Sequence, residues 1–309
     1  MDESAVTPQE SAEARRQQPD HGAAAAAASH GCGCGGCGGS RVEADAATQK
    51  MMPLPPFVYA VGRIEPRFPN LGVEKEFAQA TGRAETANMS DGQALHAVLS
   101  EPQNRYLSKQ LCYVLMIRGI DTYFVQPRDT ADFDLLVDAL GATPRMTDLH
   151  VVIGLLSPFA PSDRCNGLML PVAAFDQIYA FDTETLVTGL PKPDRVDEEP
   201  FRTAAADLFE RVVQLADNTG STDTHRALNY LAVRYTEIYA KSAESSVAGL
   251  SLTAIETRPS RLGGSRNIQD VLFSYTDRKT DVTEKYFVRV DVTEEFPFLV
   301  TKLSPYYDR

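Results

Sequence analysis

An abrupt change in apolar content near residue 51 constrains the fold more than any other feature of this chain. Residues 1–50 contain no aromatic residue, no leucine and no isoleucine, and valine occurs in them only twice. A segment of this composition cannot bury enough apolar surface to offset the entropy lost on ordering. The sequence therefore predicts a disordered tail over residues 1–52 and a single folded domain over residues 53–309.

The predicted domain is long enough to be stable without covalent or metal cross-links. A chain of about 250 residues buries roughly 70–75% of its unfolded surface on folding. The cysteine usage also indicates that the domain does not depend on disulfides, since the total of five is odd and three of the five lie in the tail. A secreted disulfide framework would instead spread paired cysteines through the fold. We therefore expect Cys112 and Cys165 to be reduced, buried thiols.

The charge balance limits the classes of partner. The chain has 42 acidic and 30 basic residues, for a net charge of −12, and shows no run of lysine and arginine with interleaved aromatic residues. Because an acidic chain repels phosphate backbones, nucleic acid is not an expected partner. No apolar run reaches the roughly 18 residues of a transmembrane helix, and the N-terminus lacks the pattern of a signal peptide. These features predict a cytoplasmic protein without a membrane partner.

Apolar periodicity predicts strands and helices in blocks rather than in strict alternation, which is typical of an α+β fold with antiparallel sheets. The two longest helices flank a turn and should form an antiparallel helical hairpin. Ser90 with Gln93 three residues later predicts a capping box at the start of a helix. The residues Gly119-Ile120-Asp121 between two apolar runs predict a β-hairpin. Residues 157–198 are predicted to be rich in turns because prolines are spaced through them. The expected helices span 71–81, 90–101, 133–140, 199–216 and 222–241, and the expected strands span 57–61, 111–117, 122–125, 149–156, 248–257, 268–276 and 284–300.

Four residues of metal-ligand type lie in the glycine-rich part of the tail: His30, Cys32, Cys34 and Cys37. Zn²⁺ prefers four nitrogen and sulfur ligands, and the intervening glycines would let the chain bend around one ion. Structural zinc sites more often use two separated cysteine pairs, so the same residues also fit flexible thiols or a tethering or redox role. These alternatives stay open, and we expect no cofactor in the domain itself.

The end of the first strand carries a charged cluster that is the candidate binding site. Arg63, Glu65, Arg67 and Phe68 lead into a turn that prolines bracket. Arginine side chains in this position could hold a carboxylate or a peptide backbone. The alternative is an internal network of salt bridges that orients the turn.

No catalytic constellation stands out in the sequence. His96, His150 and His225 fit structural histidines, because a general base needs a positioned nucleophile or substrate proton within reach. The segment Arg261–Arg266 contains two glycines and could cradle an anion, but no helix follows it and a plain turn is favoured. A nucleophile elbow, a P-loop and a dinucleotide fingerprint are also missing. We therefore expect no catalytic residues.

Several sequence blocks together resemble the C-terminal domain of the cyanobactin maturation proteins PatG and PatA. They occur in order and cover most of residues 57–309. The blocks are GRIEPRFP at 62–69, LGVEKEF at 71–77, QNRYL at 103–107, QPRD at 126–129, ALNYLAVRY at 227–235 and EKYFVRVDVT at 284–293.

The resemblance implies a domain of unknown function that is usually fused behind a subtilisin-like protease. That protease trims or macrocyclises ribosomally made peptides. No catalytic residue is established for the domain, so the resemblance assigns none to this chain. A subtilisin-like enzyme needs Asp, His and Ser in separate signature loops, which are not recognisable in this sequence. We therefore expect this chain to have no protease activity of its own.

Together, the resemblance and the missing catalytic motifs predict a non-catalytic accessory domain in the maturation of ribosomal peptides. Its expected partner is a precursor peptide or a peptide-maturation enzyme, and formation of a homodimer stays open. Two alternatives remain. The first is a peptide-modifying enzyme whose site lies among Arg63, Glu65, Arg67 and one of the histidines. The second is a regulatory protein that acts through metal or thiol chemistry in the tail.

Overall fold

The computed structural model describes residues 56–82, 86, 88–215 and 217–307. The predicted tail and its candidate metal ligands, His30, Cys32, Cys34 and Cys37, lie outside these residues. The tail, the metal site and the domain boundary at residues 52 and 53 therefore stay predictions.

The first half of the described chain contains five strands and five α-helices. In chain order these elements are β1 (Phe57–Arg67), α1 (Leu71–Thr81), α2 (Asp91–Ser100), α3 (Arg105–Ser108), β2 (Cys112–Ile117), β3 (Ile120–Pro127), α4 (Phe133–Leu140), β4 (Asp148–Phe159), β5 (Pro171–Asp182) and α5 (Thr183–Gly189). The strands close into a barrel in the order β1-β2-β3-β5-β4, and β4 pairs with β1. Only β3 and β5 pair in parallel.

The inside of the barrel and helices α1, α2 and α4 share one hydrophobic core. Val58 and Ala60 of β1 belong to it. Because side chains alternate along a strand, the intervening Tyr59 and Val61 face the outside of the barrel. There they join a second buried cluster, against which Tyr230 packs. The first strand is therefore buried on both faces.

The second half contains three helices and a meander of four strands. Its elements are α6 (Glu198–Val213), α7 (Asp223–Arg234), α8 (Glu237–Val247), β6 (Leu250–Pro259), β7 (Ile268–Asp277), β8 (Thr283–Asp291) and β9 (Phe298–Pro305). The strands form an antiparallel sheet in sequence order, with β6 and β9 at its edges. The apolar stripes of the helices pack on one face of this sheet, where Val271, Phe273 and Tyr275 of β7 meet them.

The α+β class, the mainly antiparallel sheets and most element positions are confirmed. The capping box predicted at Ser90 is present: its hydroxyl accepts from the N–H of Gln93, whose side-chain oxygen accepts from the N–H of Ser90. The β2–β3 hairpin is also present. It turns at Arg118 and Gly119, both with positive φ, as a two-residue hairpin turn requires.

The interpretation of residues 157–198 as rich in turns missed two regular elements. Strand β5 and helix α5 both lie in this range. Proline punctuates the segment, but Pro171 is the first residue of β5, a position that tolerates the missing N–H. The apolar and aromatic residues after it signal a strand, and pairing with both β3 and β4 makes β5 an integral barrel strand.

Two predicted elements are each divided in the structure. The helix expected over 222–241 breaks at Tyr235, which is extended (φ −117°, ψ 98°), and the Tyr235 hydroxyl accepts a 2.9 Å hydrogen bond from the N–H of Leu303. The strand expected over 284–300 becomes β8 and β9. There the Asp291 carboxylate accepts from the N–H of Thr293, a local turn that interrupts the ladder.

A buried polar joint connects the barrel to the second half. The N–H of Tyr59 donates to the carbonyl of Gly220 at 2.9 Å, and the amide of Asn229 donates to the carbonyl of Tyr59 at 2.8 Å. The Asn218 amide donates in turn to the Asn229 side-chain oxygen at 2.8 Å. Gly220 has φ of +78°, and a Cβ there would lie 2.4 Å from the Tyr59 carbonyl oxygen. Only glycine fits this approach.

The expectation that Cys112 and Cys165 are reduced thiols is wrong in this structure, which joins them in a disulfide with Cα atoms 6.2 Å apart. Both cysteines are buried, as expected, in a cluster with Val114 and Phe124 on the outer face of the barrel. The bond anchors the segment between β4 and β5 to β2. Sequence spacing alone could not reveal the pairing because the two residues are 53 positions apart.

We predict that Asn229→Ala destabilises the protein by roughly 1–3 kcal/mol, because it leaves the buried Tyr59 carbonyl and the Asn218 amide without this partner. Urea unfolding followed by circular dichroism measures the change. Asn267→Ala removes an exposed asparagine side chain and serves as the control. An Asn229→Ala protein within about 0.5 kcal/mol of the unmodified protein would show that the joint contributes little.

Candidate functional site

A groove between α6, α8 and the edge strand β6 is a concave site in the second half. We call it the α6–β6 groove. Its volume is about 460 Å³. A smaller recess of about 280 Å³ continues it along β6, and Arg211 and Leu252 line both. The groove is lined by Glu199, Pro200, Thr203, Ala204, Asp207, Arg211, Ser242, Ser246, Leu250, Ser251, Leu252 and Arg278.

Helix periodicity builds two walls of the groove. On α6, Thr203, Asp207 and Arg211 follow one another at four-residue spacing and are exposed, while the opposite stripe of the helix is buried. On α8, Ser242 and Ser246 have the same spacing. Residues four apart lie on one face of a helix. Each helix therefore presents one polar ridge to the groove.

The third wall is the open edge of the C-terminal sheet. The Arg211 guanidinium donates a 2.9 Å hydrogen bond from α6 to the carbonyl of Leu252 on β6. The Leu252 carbonyl therefore points away from β7 and into the groove. Arg211 already occupies this carbonyl, so an added extended segment would pair with the other outward-facing backbone groups of the edge strand.

The groove contains charges of both signs and several hydroxyls. Arg211 also pairs with Asp207 at 3.0 Å, and Arg278 donates from Nε to the Ser251 hydroxyl at 2.7 Å. Two arginines and two acidic residues among the lining side chains balance to zero. A neutral surface rich in donors and acceptors matches a peptide backbone, which is itself neutral with alternating donors and acceptors.

Most of the charged residues in the cluster predicted on β1 have partners within the protein. Arg67 makes a bidentate pair with Asp121, both bonds at 2.6 Å, and this hydrogen bonding raises the pKa of Arg67. Arg63 lies 3.9 Å from Glu65 and donates to the Met146 sulfur. These contacts are the internal network that was the alternative to a binding site.

Phe68, the last residue of that cluster, packs against Phe77 with ring centroids 5.3 Å apart. With Arg67 it lines a recess of about 420 Å³ beside the disulfide-anchored segment 165–168. The binding role of Arg63, Glu65, Arg67 and Phe68 remains a prediction.

Of the three histidines considered above, His150 has well-defined structural surroundings. His150 is buried: its Nδ1 accepts from the N–H of Ile64 at 3.1 Å, and its Nε2 lies 2.9 Å from the Ala139 carbonyl oxygen. Burial lowers the pKa of His150, so the ring is neutral and donates from Nε2. Burial also lowers the pKa of His225, at the start of α7. The third, His96, lies on α2.

A carboxyl pair that local sequence patterns did not reveal lies where the barrel meets the β8–β9 connection. The Arg128 guanidinium contacts both Asp176 and Glu295, with 3.5 Å to Glu295 Oε2, so the two carboxyl groups are neighbours. Burial, followed by the neighbouring Asp176, raises the pKa of Glu295 to about 7, against the opposing effect of Arg128 and Arg226. Two neighbouring carboxyl groups cannot both ionise cheaply, so the pair retains a proton close to neutral pH.

Comparison with known proteins agrees with this architecture. Residues 195–306 match the family described as PatG C-terminal. A solved structure titled PatG Domain of Unknown Function superposes with a TM-score of 0.66 at 19% identity, covering 82% of this chain and 99% of that chain. No curated protein matches the chain. The predicted resemblance to the PatG C-terminal domain is therefore confirmed, and the α6–β6 groove lies within the matched region.

Within residues 56–82, 86, 88–215 and 217–307, no group of three or more His, Cys, Asp or Glu is arranged to hold a metal ion. None of the helices in this described portion combines the length and apolar character needed to cross a membrane.

The carboxyl pair makes stability depend on pH. Glu295 has a raised pKa in the folded protein, so its contribution to stability is fully present below its ordinary pKa of 4.5 and is lost as pH rises to about 7. Glu295→Gln should remove this loss. Between pH 4.5 and pH 8 the variant should therefore lose less stability than the unmodified protein, by on the order of 1–2 kcal/mol, since solvent partly screens the group.

Urea unfolding at a series of pH values measures this effect. Glu294→Gln changes the adjacent, exposed carboxylate and is the matched control. If both variants and the unmodified protein show the same pH dependence, Glu295 does not hold its proton in the folded state.

Proposed function

We propose that this domain is a non-catalytic accessory domain in the maturation of ribosomally made peptides, and that it binds a polypeptide segment in the α6–β6 groove. The segment belongs to a precursor peptide or to a partner maturation enzyme. The observation that carries the proposal is the groove itself, where an open strand edge and two polar helix ridges face one another.

Strand addition explains how such a groove would bind peptide. An extended segment pairs its main chain with the edge of β6, and its side chains enter the spaces between the helix ridges. A bulge at Thr253 interrupts the regular register of β6 with β7. Bulges limit uncontrolled edge-to-edge pairing, so the added segment is short.

The size and charge of the groove support a peptide ligand. A volume of about 460 Å³ lies within the range of roughly 300–1,000 Å³ that is usual for ligand sites. The balanced charge of its lining disfavours a strongly charged ligand such as nucleic acid, as does the net charge of −12. We expect the interaction to occur in the cytoplasm and without a membrane, and self-association through β6 would produce the homodimer left open above.

The link to peptide maturation rests on the similarity to PatG. The matched family and the similar structure associate the fold with PatG, and neither is named for an activity or a ligand. Recognition of a maturation substrate or enzyme is the function that we infer from combining this association with the groove.

An enzymatic role is the second candidate, and the carboxyl pair of Asp176 and Glu295 favours it. A carboxyl group with a pKa near 7 is suited to proton transfer at neutral pH. A peptide-modifying enzyme would change the mass of its substrate, so the two candidates are separable in one experiment. The thiol or metal role of the tail is a third proposal, which concerns residues outside the described structure.

We predict that Thr203→Trp weakens binding of the precursor peptide or maturation protease at least tenfold. Thr203 is exposed and lines the groove, so the indole fills the space without disturbing the core. Ala206→Trp places the same bulk at an exposed position of α6 that does not line the groove, and it should bind normally. Isothermal titration calorimetry measures both affinities.

Mass spectrometry of the peptide recovered from the titration completes the test. Binding without a mass change supports the accessory function, and a mass change that Glu295→Gln abolishes supports the enzymatic one. The accessory proposal is wrong if the unmodified protein binds neither precursor peptide nor protease, or if Thr203→Trp and Ala206→Trp bind equally well.

A further inference from the structure

The connection between β4 and β5 is held against β2 by the Cys112–Cys165 disulfide. We call residues 160–170 the disulfide loop. The N–H of Ala160 donates to the carbonyl of Leu170 at 2.9 Å and closes the base of the loop. The two strands that the loop joins pair with each other along their length. The base of the loop is therefore part of the barrel.

A tight turn in the middle of the loop places Cys165 against the barrel. Asn166 and Gly167 have φ of 46° and 85°, and the N–H of Gly167 donates to the carbonyl of Ser162 at 2.9 Å. This left-handed region is costly for most residues but accessible to asparagine and glycine. Cys165 is buried, while the two residues that follow it are exposed. The turn thus brings the sulfur to β2 and leaves its own backbone at the surface.

Cys165 is the main attachment of the loop to the outer face of the barrel. Within residues 161–170 it alone is fully buried. Leu168 and Leu170 are partly buried against the same apolar cluster. Two partly buried side chains supply a limited hydrophobic free energy, and the disulfide adds a covalent constraint. Loss of the bond would therefore loosen the loop and leave the paired strands in place.

The disulfide borders a recess at the protein surface. Although buried, Cys165 lines the recess of about 420 Å³ that Arg67 and Phe68 also line, and Cys112 does not line it. Sites for small molecules usually have volumes of roughly 300–1,000 Å³. A small thiol can therefore approach the disulfide from the side of Cys165.

We propose that the Cys112–Cys165 disulfide is a redox-sensitive site, which a small thiol reduces through this recess and whose reduction releases the disulfide loop from β2. The thiolate attacks Sγ of Cys165 to form a mixed disulfide, and Sγ of Cys112 leaves as a thiolate and takes up a proton. A second thiolate then attacks the small-molecule sulfur, and Sγ of Cys165 leaves and takes up a proton. The protein gains two electrons and two protons, and two thiols are oxidised to one disulfide.

The cytoplasm, where we propose that this domain acts, is rich in small thiols. Disulfides in such a compartment are usually transient and serve catalysis or redox sensing. The inference goes beyond peptide binding, because the recess and the α6–β6 groove share no lining residue. Release of the loop would reshape the recess beside Arg67 and Phe68, two residues of the cluster predicted on β1.

Cysteine alkylation with peptide mapping by mass spectrometry tests the redox chemistry on the full chain. In protein prepared without reductant, the peptides of Cys112 and Cys165 should be linked and should not react with iodoacetamide. After equilibration with millimolar reduced glutathione in native buffer, both should be alkylated, and oxidised glutathione should restore the link. The proposal is overturned if both residues are alkylated before reduction, or if glutathione reduces them only in urea.

Hydrogen exchange shows whether reduction releases the loop. Residues 161–170 should exchange roughly tenfold faster in the reduced protein, while β1 and β4 should exchange equally in both forms. Cys165→Ala should show the fast exchange without reductant, and Cys112→Ala is the second variant if the first is poorly folded. Loop exchange that is the same in the oxidised and reduced protein would rule the release out.

The three cysteines of the tail require a matched control. The triple variant Cys32→Ser, Cys34→Ser and Cys37→Ser keeps Cys112 and Cys165 in place. It should respond to glutathione as the unmodified chain does. If it loses the response, the tail thiols are the redox-sensitive groups and the proposal is wrong.

Discussion

The hydrogen bonds between β1 and the α6–α7 turn hold the two halves of this domain together. β1 pairs with β4 through Phe57–Gly62 but with β2 only from Arg63 onward, so Tyr59 has no strand on its second side. The Gly220 carbonyl supplies the missing acceptor, and the Asn229 amide supplies the missing donor. Because unpaired buried backbone groups are costly, this joint fixes where α6 and α7 lie against the barrel.

The position of α6 then determines what the second half can bind. Its buried stripe joins the core over the C-terminal sheet, and its polar ridge forms one wall of the α6–β6 groove. The edge strand β6 forms another wall of the same groove. The second half thus presents a neutral, polar groove of the kind that suits a peptide backbone.

Local sequence patterns predicted the elements well where local forces decide them. The capping box at Ser90, the helix at 133–140 and the β2–β3 hairpin depend on neighbouring residues alone. Strand β5 was not predicted because prolines lie on both sides of it and because one of its partners, β3, is not its neighbour in the chain. At the break in the predicted long helix, the Tyr235 hydroxyl accepts a hydrogen bond from β9, a contact that no local pattern contains.

The candidate sites were less predictable than the fold. The four-residue spacing of Thr203, Asp207 and Arg211 is visible in the sequence, but the groove appears only when β6 lies beside it. The Asp176–Glu295 pair joins residues far apart along the chain. In the predicted cluster on β1, Arg67 and Glu65 were recognisable as charged residues, but the Asp121 that pairs with Arg67 was not.

Hydrogen exchange with mass spectrometry, in the presence and absence of a saturating precursor peptide or maturation protease, shows whether a polypeptide binds in the α6–β6 groove. We expect slower amide exchange in β6 and α6 on binding, with β2 and β3 unchanged. Protection confined to the end of β1 and the 165–168 segment, with β6 and α6 exchanging as in the free protein, would contradict it.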